Sequence, residues 1–535
     1  MTTDTTAPGG RKGLLLAFLC FGVFMVYLDA TIVNVALPDI QDDLSADITQ
    51  LQWIIDAYTL TFACLLLTSG TLGDILGRKK IFLGGLIGFT LSSVICALSG
   101  SIGLLLVGRT LQGVCGSIMI PVSLALVSAA YTEPAARAKA IGIWAGIGGI
   151  ALSTGPVLGG LLVDHYGWQS IFWVNAPIGI IATLVLAKLM TENLAPRARR
   201  LDLVGQVLFI ATIATVAYGL IEGNSEGWKS GLILGSFAVS ALALLAFVLW
   251  ELRQPDPMLP LKFFRSPIVV VASIVNFLSL FGLFAVIFLL TLYLQNINQL
   301  SSVETGVRFL ALTVPIMIAS FAASIVASKI GPRLPIVIGS VLSASGLFGL
   351  TALEVGTGFG GYWWSLALLG AGVSFTGAPA TVALLGSVPP EQAGTASGVS
   401  NTFRQVGAVF GVALAGALLL QHLRDGLPGA LAKTGIPAEA QAKSVTLLGD
   451  GDLSRVAALP SAVRAPVAEA VGPLYVEGMH LVMQVAAVST LAGGLFALLF
   501  LKGKPASAIS DKAGTGEPGD GAGQDVPAET AGQHS

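Results

Sequence analysis

The chain has 535 residues, 54% of them hydrophobic and only 11% charged, with a formal net charge of −2. Soluble globular proteins carry roughly 25% charged residues, so this composition excludes a water-facing fold and predicts a protein that spans a bilayer. The net charge itself carries little information; what matters is where the charges sit, and no nucleic-acid partner is expected.

Runs of about 20 mostly apolar residues can cross the hydrocarbon core as helices. In chain order they fall at 14–36, 51–72, 80–99, 103–130, 138–163, 171–190, 203–222, 230–251, 268–294, 305–328, 334–354, 362–386, 396–421 and 478–501. The reading is an all-α membrane protein with fourteen transmembrane helices. The first run is too long for a signal-peptide core and lacks an A-x-A cleavage site, so it reads as a retained helix.

An even number of spans puts both chain ends on one side. Alternate short loops hold Arg78, Lys79 and Lys80; Arg137 and Lys139; Lys188, Arg197, Arg199 and Arg200; Arg253, Lys262 and Arg265; Lys329 and Arg333; and Arg404. The intervening short loops hold only Lys229 and Arg308, and the first, "PDIQDDLSAD", is purely acidic. The positive-inside rule makes the basic side cytoplasmic; the segment 422–478 also holds basic residues, but long loops largely escape the rule. Both termini, 1–13 and 502–535, are expected there, with 422–478 as a long extracytoplasmic loop. The polar Gly/Pro/Ala-rich tail after Lys504 reads as disordered.

The chain repeats itself. "PVSLALVSAAYTE" (121–133) and "PATVALLGSVPPE" (379–391) share the Pro-to-Glu spacing and an Ala-Leu pair, and each closes a helix of the same direction. This predicts six helices (14–190), two inserted ones (203–251) and six more (268–501), the halves being parallel repeats. Under this alignment Arg109 meets Ala367, so that arginine is not something the fold requires twice.

Cys20, Cys64, Cys96 and Cys115 lie inside apolar runs, against a disulfide or metal framework. His165, His422, His480 and His534 form no ligand spacing, and no G-x-x-x-x-G-K-[ST] loop is present, so ATP is not the expected energy source. No cofactor, metal or catalytic residue is expected, and the chain does not read as an enzyme.

Charges at the centre of a spanning helix cost about 2.5–3.5 kcal/mol on insertion scales and mark functional sites by default. Asp29 in "MVYLDATIVNVALP", Asp56 and Arg109 lie at depths of roughly 8–11 Å from the outer ends of helices 1, 2 and 4, one shared layer. Desolvation opposes ionisation of a carboxyl and a neighbouring guanidinium favours it. A group balanced between the two can carry protons, bind a cationic substrate, or both; the bland alternative is a static ion pair. Glu222, in "YGLIEGNSEGW", reads as interfacial, and Arg404, in "SNTFRQVG", as an anchor near the cytoplasmic end of its helix.

"GTLGDILGRKK" (70–80) sets Gly70 and Gly77 for close approach and a tight turn, with Asp74 able to pair with a base such as Arg137. "GIWAGIGGIALSTGPVLGGLL" (142–162) repeats small residues four apart, Gly142 with Gly146 and Gly155 with Gly159, a face for close helix packing. Pro156 bends that helix.

These segments resemble the major facilitator superfamily. Gly70, Asp74, Gly77 and Arg78 match its cytoplasmic signature between helices 2 and 3. "GRTLQGVCGSIMIP" is similar to the helix 4 motif of its proton-coupled exporters through Arg109, Gln112 and Gly113. "STGPVLGG" is similar to its antiporter motif through Gly155, Pro156, Gly159 and Gly160. "LDATIVNVALP" and "GWQSIFWVNAPIG" resemble the fourteen-helix drug:proton antiporters of the QacA/EmrB type through Asp29, Asn34, Pro38, Trp168, Asn175 and Pro177. Gln169 stands where arginine is common, and "SKIGPRLP" in the second half lacks the signature acid.

The resemblance implies a major facilitator fold (6 + 2 + 6) in a bacterial cell membrane, a monomer exporting lipophilic, cationic drugs or antibiotics by alternating access. The proton gradient would supply the energy. Asp29, Asp56, Arg109, Gln112, Asn34 and Glu222 are the candidates for proton and substrate handling. Gly70, Asp74, Gly77, Arg78 and Arg137 would form a cytoplasmic latch of the outward-facing state. Gly146, Gly155, Pro156, Gly159 and Gly160 would control bending of helix 5. The competing readings are a dedicated exporter of one metabolite, antibiotic or lipid, a proton-coupled uptake permease, and a membrane sensor without transport.

Overall fold

In the computed structural model, residues 8–192, 201–388, 392–449, 451, 455–456 and 459–501 are described, and among them there is no β-strand. The first half comprises α1 (Pro8–Leu44), α2 (Ile48–Leu76), α3 (Arg78–Ala97), α4 (Ile102–Ala130), α5 (Pro134–Tyr166), α6 (Ser170–Trp173) and α7 (Asn175–Leu189). Next come α8 (Leu203–Glu226) and α9 (Gly231–Glu251). The second half comprises α10 (Pro267–Leu292), α11 (Ser302–Ile330), α12 (Arg333–Leu350), α13 (Trp363–Leu385), α14 (Ala393–Ala432), α15 (Ala438–Leu448) and α16 (Ser461–Phe500). Among the described residues, fourteen helical spans are long and apolar enough to cross a membrane, α6 and α7 together making the sixth. We call the side on which α1 begins and α16 ends the terminal face, and the other the distal face.

The helices outrun their apolar stretches because capping and backbone chemistry, not hydropathy, stops them. Asp47 caps α2 reciprocally with Gln50: its carboxylate accepts from the Gln50 amide at 2.7 Å, and the Gln50 side chain accepts from the Asp47 amide at 3.1 Å. Ser301 and Glu304 do the same for α11.

The segment 422–478, expected as a loop, is largely helical. α14 runs on to Ala432, α15 follows, and α16 begins at Ser461. Leu427, Leu431, Leu448, Leu459 and Val467 are buried here, so a helical-period apolar face builds a small distal cap. Arg197, Arg199, Arg200, Glu391 and the tail after Lys504 lie outside the described residues.

The two halves repeat the same pairings. α1 packs on α5 as α10 packs on α14, α2 on α4 as α11 on α13, and α3 on α4 and α7 as α12 on α13 and α16. The halves meet along α2–α14 and α5–α11, with α8 packed against the first of these seams.

Gly77 joins α2 to α3 at φ +103°, a region side chains avoid. A Cβ there would also press on the Glu192 carboxylate at 2.7 Å. That carboxylate accepts from the Lys79 amide at 3.1 Å, and the Lys79 ammonium donates to the Ala187 and Met190 carbonyls at 2.9 and 2.7 Å, capping the end of α7. Gly77→Ala is therefore expected to destabilise the protein by about 1–3 kcal/mol, read as a lowered midpoint in thermal unfolding of the purified protein.

Candidate functional site

Asp29, Arg109 and Gln112 are at most 1% exposed, inside the first half. The Arg109 guanidinium donates to Asp29 Oδ2, to Gln112 Oε1 at 3.0 Å and, through Nε, to the Ile54 carbonyl at 3.0 Å. Asp29 Oδ1 accepts from Gln112 Nε2 at 3.0 Å and Asn175 Nδ2 at 3.3 Å. The same two amides donate to Ser93 Oγ at 2.8 and 3.3 Å. The guanidinium lies 4.5 Å from the Tyr58 ring centroid, and the Tyr58 hydroxyl donates to the Val26 carbonyl at 2.8 Å. Five helices thus hold one ion pair whose carboxylate accepts from three side chains.

The other sequence candidates are arranged differently. Asp56 is fully buried, and neither carboxyl oxygen has a hydrogen-bond partner; it shares the layer but does not join the network. Asn34 does not join it either, its amide donating back to the Ala30 and Thr31 carbonyls of its own helix, both at 3.3 Å. Glu222 accepts from Trp53 Nε1 at 2.8 Å near the distal end of α8, apart from the network. Ser93 and Tyr58 were not singled out from sequence. A serine or tyrosine in an apolar helix carries no charge anomaly to flag it.

Of the latch residues, Asp74 pairs with Arg78 at 2.8 Å, one turn away on the same stretch of chain, and not with Arg137, which is exposed at the start of α5. Asp74 and Arg78 instead line a cavity of about 490 Å3 with Trp144, Asp256, Ser397 and Asn401, near the terminal face between the halves. The α5 glycines divide. A Cβ on Gly142 or Gly146 would meet nothing within 4 Å, so this pair makes no close packing face here. Gly155 and Gly159 do: a Cβ there would reach Thr31 and Ile32 of α1 at 2.9 and 2.8 Å. Gly160 lies against the Ser302–Val303 backbone of α11, and Gly306 against the Pro156–Val157 backbone of α5.

Those last contacts belong to a distal closure. The Asp164 carboxylate accepts from the Ser302 and Val303 amides, both at 3.1 Å, so the end of α5 caps the start of α11. Gln52 Nε2 donates to the Val412 and Ala413 carbonyls at 3.0 and 2.9 Å, and Gln295 Nε2 to the Val35 carbonyl at 2.9 Å. The halves are stitched together distally and part toward the terminal face.

The sequence model of the Major Facilitator Superfamily matches residues 19–412. Over 510 residues, 94% of each chain, the protein is 34% identical to the tetracenomycin C resistance and export protein of Streptomyces glaucescens. Over 408 residues, 75% of each chain, it is 37% identical to the multidrug resistance protein Stp of Mycobacterium tuberculosis. Among solved structures it is similar to a bacterial homolog of the human lysosomal transporter Spinster, inward-facing and unoccupied. The TM-score is 0.65 at 16% identity, over 96% of this chain and 99% of that one.

Proposed function

Because the chain belongs to the Major Facilitator Superfamily, we propose that it is a drug exporter of a bacterial cell membrane, driven by protons through alternating access. The observation that carries this reading is the sealed network of Asp29, Arg109, Gln112 and Asn175, built in one half only, in a chain whose relatives are named for resistance and export. The terminal face, with its basic loops, is cytoplasmic. A cavity open toward it under a stitched distal face is the arrangement that loads cargo from inside. Both halves are in one chain, so a monomer completes the path.

Two buried acids divide the work. Asp29 carries the negative charge that Arg109 requires. An ionised carboxylate sealed without a donor forfeits hydration worth several kcal/mol, so we assign Asp56 the proton in this conformation. Releasing that proton inward and taking another when the distal face opens couples the gradient to the rocking of the halves. The basis for a cationic cargo was that Asp29 and Asp56 reach the cavity; both are enclosed here.

In a host stripped of its own efflux pumps, the protein is expected to raise resistance to lipophilic antibiotics, and a protonophore to abolish the efflux. Asp56→Asn is expected to insert normally but to lose the dependence of efflux on an imposed pH gradient in everted vesicles. Efflux indifferent to the protonophore, or Asp56→Asn vesicles that respond like wild type, would count against the coupling. A dedicated exporter is the second reading, favoured by the Streptomyces relative being named for one compound. Protection against a single antibiotic in the panel would select it.

A further inference from the structure

Two more acids, both on the inserted helices, take no part in this scheme. Asp202 stands just before α8 and Glu251 closes α9, so both lie at the terminal face. Asp202 Oδ1 caps α8 by accepting from the Gly205 amide at 2.8 Å, and it also accepts from Trp250 Nε1 at 2.9 Å. Glu251 is 3% exposed, and its Oε2 accepts from the Leu259 amide at 3.3 Å. The second oxygen of each acid, Asp202 Oδ2 and Glu251 Oε1, is buried without a hydrogen-bond partner. These two oxygens converge. A Cβ on Gly205 would lie 2.6 Å from Asp202 Oδ2 and 3.0 Å from Glu251 Oε1, so both face the space that the glycine leaves beside α8.

Two ionised carboxylates over one glycine, with no donor between them, repel each other. One proton on the pair removes the repulsion and supplies the missing donor. No cation takes that place among the described residues, where neither acid belongs to an ion pair. Nor does a third His, Cys, Asp or Glu complete a metal-sized group there. Asp74, Arg78 and Asp256 share the cavity wall with Asp202, but Arg78 is held by Asp74. The α14 residues of that wall, Ser397 and Asn401 among them, are uncharged, and Arg253, Lys262 and Arg265 between α9 and α10 are exposed.

The pair stands where a change of charge would be felt. Leu259 belongs to the linker 252–266, whose Asp256, Pro257 and Met258 form part of the cavity wall. The Thr68 hydroxyl of α2 bridges Gln206 of α8 and the Met258 sulfur, tying the same linker to the helix that carries Asp74. We propose that Asp202 and Glu251 bind one proton between them, forming a pH-sensitive clasp that fastens the linker at the cytoplasmic mouth of the cavity. The proton leaves to cavity water along Asp202, which lines it. Two negative charges then face each other over Gly205, Glu251 swings away, and the Leu259 amide loses its acceptor. The titration belongs to the pair rather than to either acid. Control of cargo access by this clasp rests on the exporter reading; the proton site does not.

Hydrogen–deuterium exchange of the purified full-length protein in nanodiscs reads the clasp through the Leu259 amide. The bath is stepped from about pH 6 to about pH 9, the range reached by buried acids, and rates are corrected for the intrinsic pH dependence of exchange. The wild-type peptide covering 252–266 is expected to exchange about tenfold faster or more at the alkaline end. Glu251→Gln keeps the acceptor for Leu259 and turns a permanent donor toward Asp202. Asp202→Asn keeps the α8 cap and turns one toward Glu251. Both variants are expected to hold the peptide protected at every pH. The infrared band of a protonated carboxyl that wild type loses over the same step should be missing from the difference spectra of both. Wild-type protection that ignores pH, or variants that titrate like wild type, overturn the assignment and leave the exporter reading intact. The expected titration in a protein that confers no resistance overturns the exporter reading and supports the proton site.

Discussion

Arg109→Ala is expected to abolish export and to lower stability together, and the two effects separate in a second variant. Removing the guanidinium leaves Asp29 ionised in a site that is fully buried, with only the Gln112 and Asn175 amides to answer it. Breaking one partner out of a buried pair costs about 3–5 kcal/mol, whereas replacing both partners by neutral groups of similar shape is often close to neutral. The double variant Asp29→Asn/Arg109→Gln should therefore recover most of the lost thermal stability and still fail to export. Arg109→Lys keeps the charge but loses the fork that reaches Asp29, Gln112 and the Ile54 carbonyl at once. It should fold better than the alanine variant and confer little resistance. The measurements are minimal inhibitory concentrations matched for membrane expression, and unfolding midpoints of the purified variants. A double variant that exports like wild type would show the pair to be a packing device.

What was legible in the sequence follows from which physical signals are one-dimensional. Bilayer thickness acts on each helix separately, so counting apolar residues finds the fourteen spans. It misplaces their ends, because Asp47 and Gln50 cap α2 by local hydrogen bonds that hydropathy does not register. It also mistakes the distal cap for a loop, since Leu427 and Leu431 in α14, and Val463, Val467 and Val471 in α16, stand four apart within polar sequence. Asp29 and Arg109 stand out because each is improbable alone inside a span, and mutual rescue is the cheapest arrangement for both. Ser93 gives no such anomaly, and Asn34, flagged by motif, turns back on its own backbone.

Gly306→Val is expected to jam the transporter open toward the distal face. A Cβ at Gly306 would sit 2.8 Å from the Pro156 carbonyl carbon and 3.1 Å from the Val157 Cα. Both are backbone atoms, so no rotamer change relieves the contact; α5 and α11 must separate. Gly160 makes the reciprocal approach to Ser302 and Val303, where Asp164 caps α11. A spreading of the seam at Gly306 therefore also strains that cap. Overpacking of this kind costs about 1–3 kcal/mol, which shifts a two-state population by about 5- to 150-fold. The cost falls only on conformations in which the seam is closed, so the variant should insert and remain folded while its cycle stalls. A cysteine at Ser302, buried at 4% exposure in the closed seam, reports the shift. In the S302C background, a membrane-impermeant maleimide added outside should label the Gly306→Val protein much faster than the parent. Gly306→Ala should fall between them. Resistance should drop with the rise in labelling across the series. Unchanged labelling with retained export would mean that the α5–α11 seam is not the distal gate, and slow labelling with lost export would assign these glycines to packing alone.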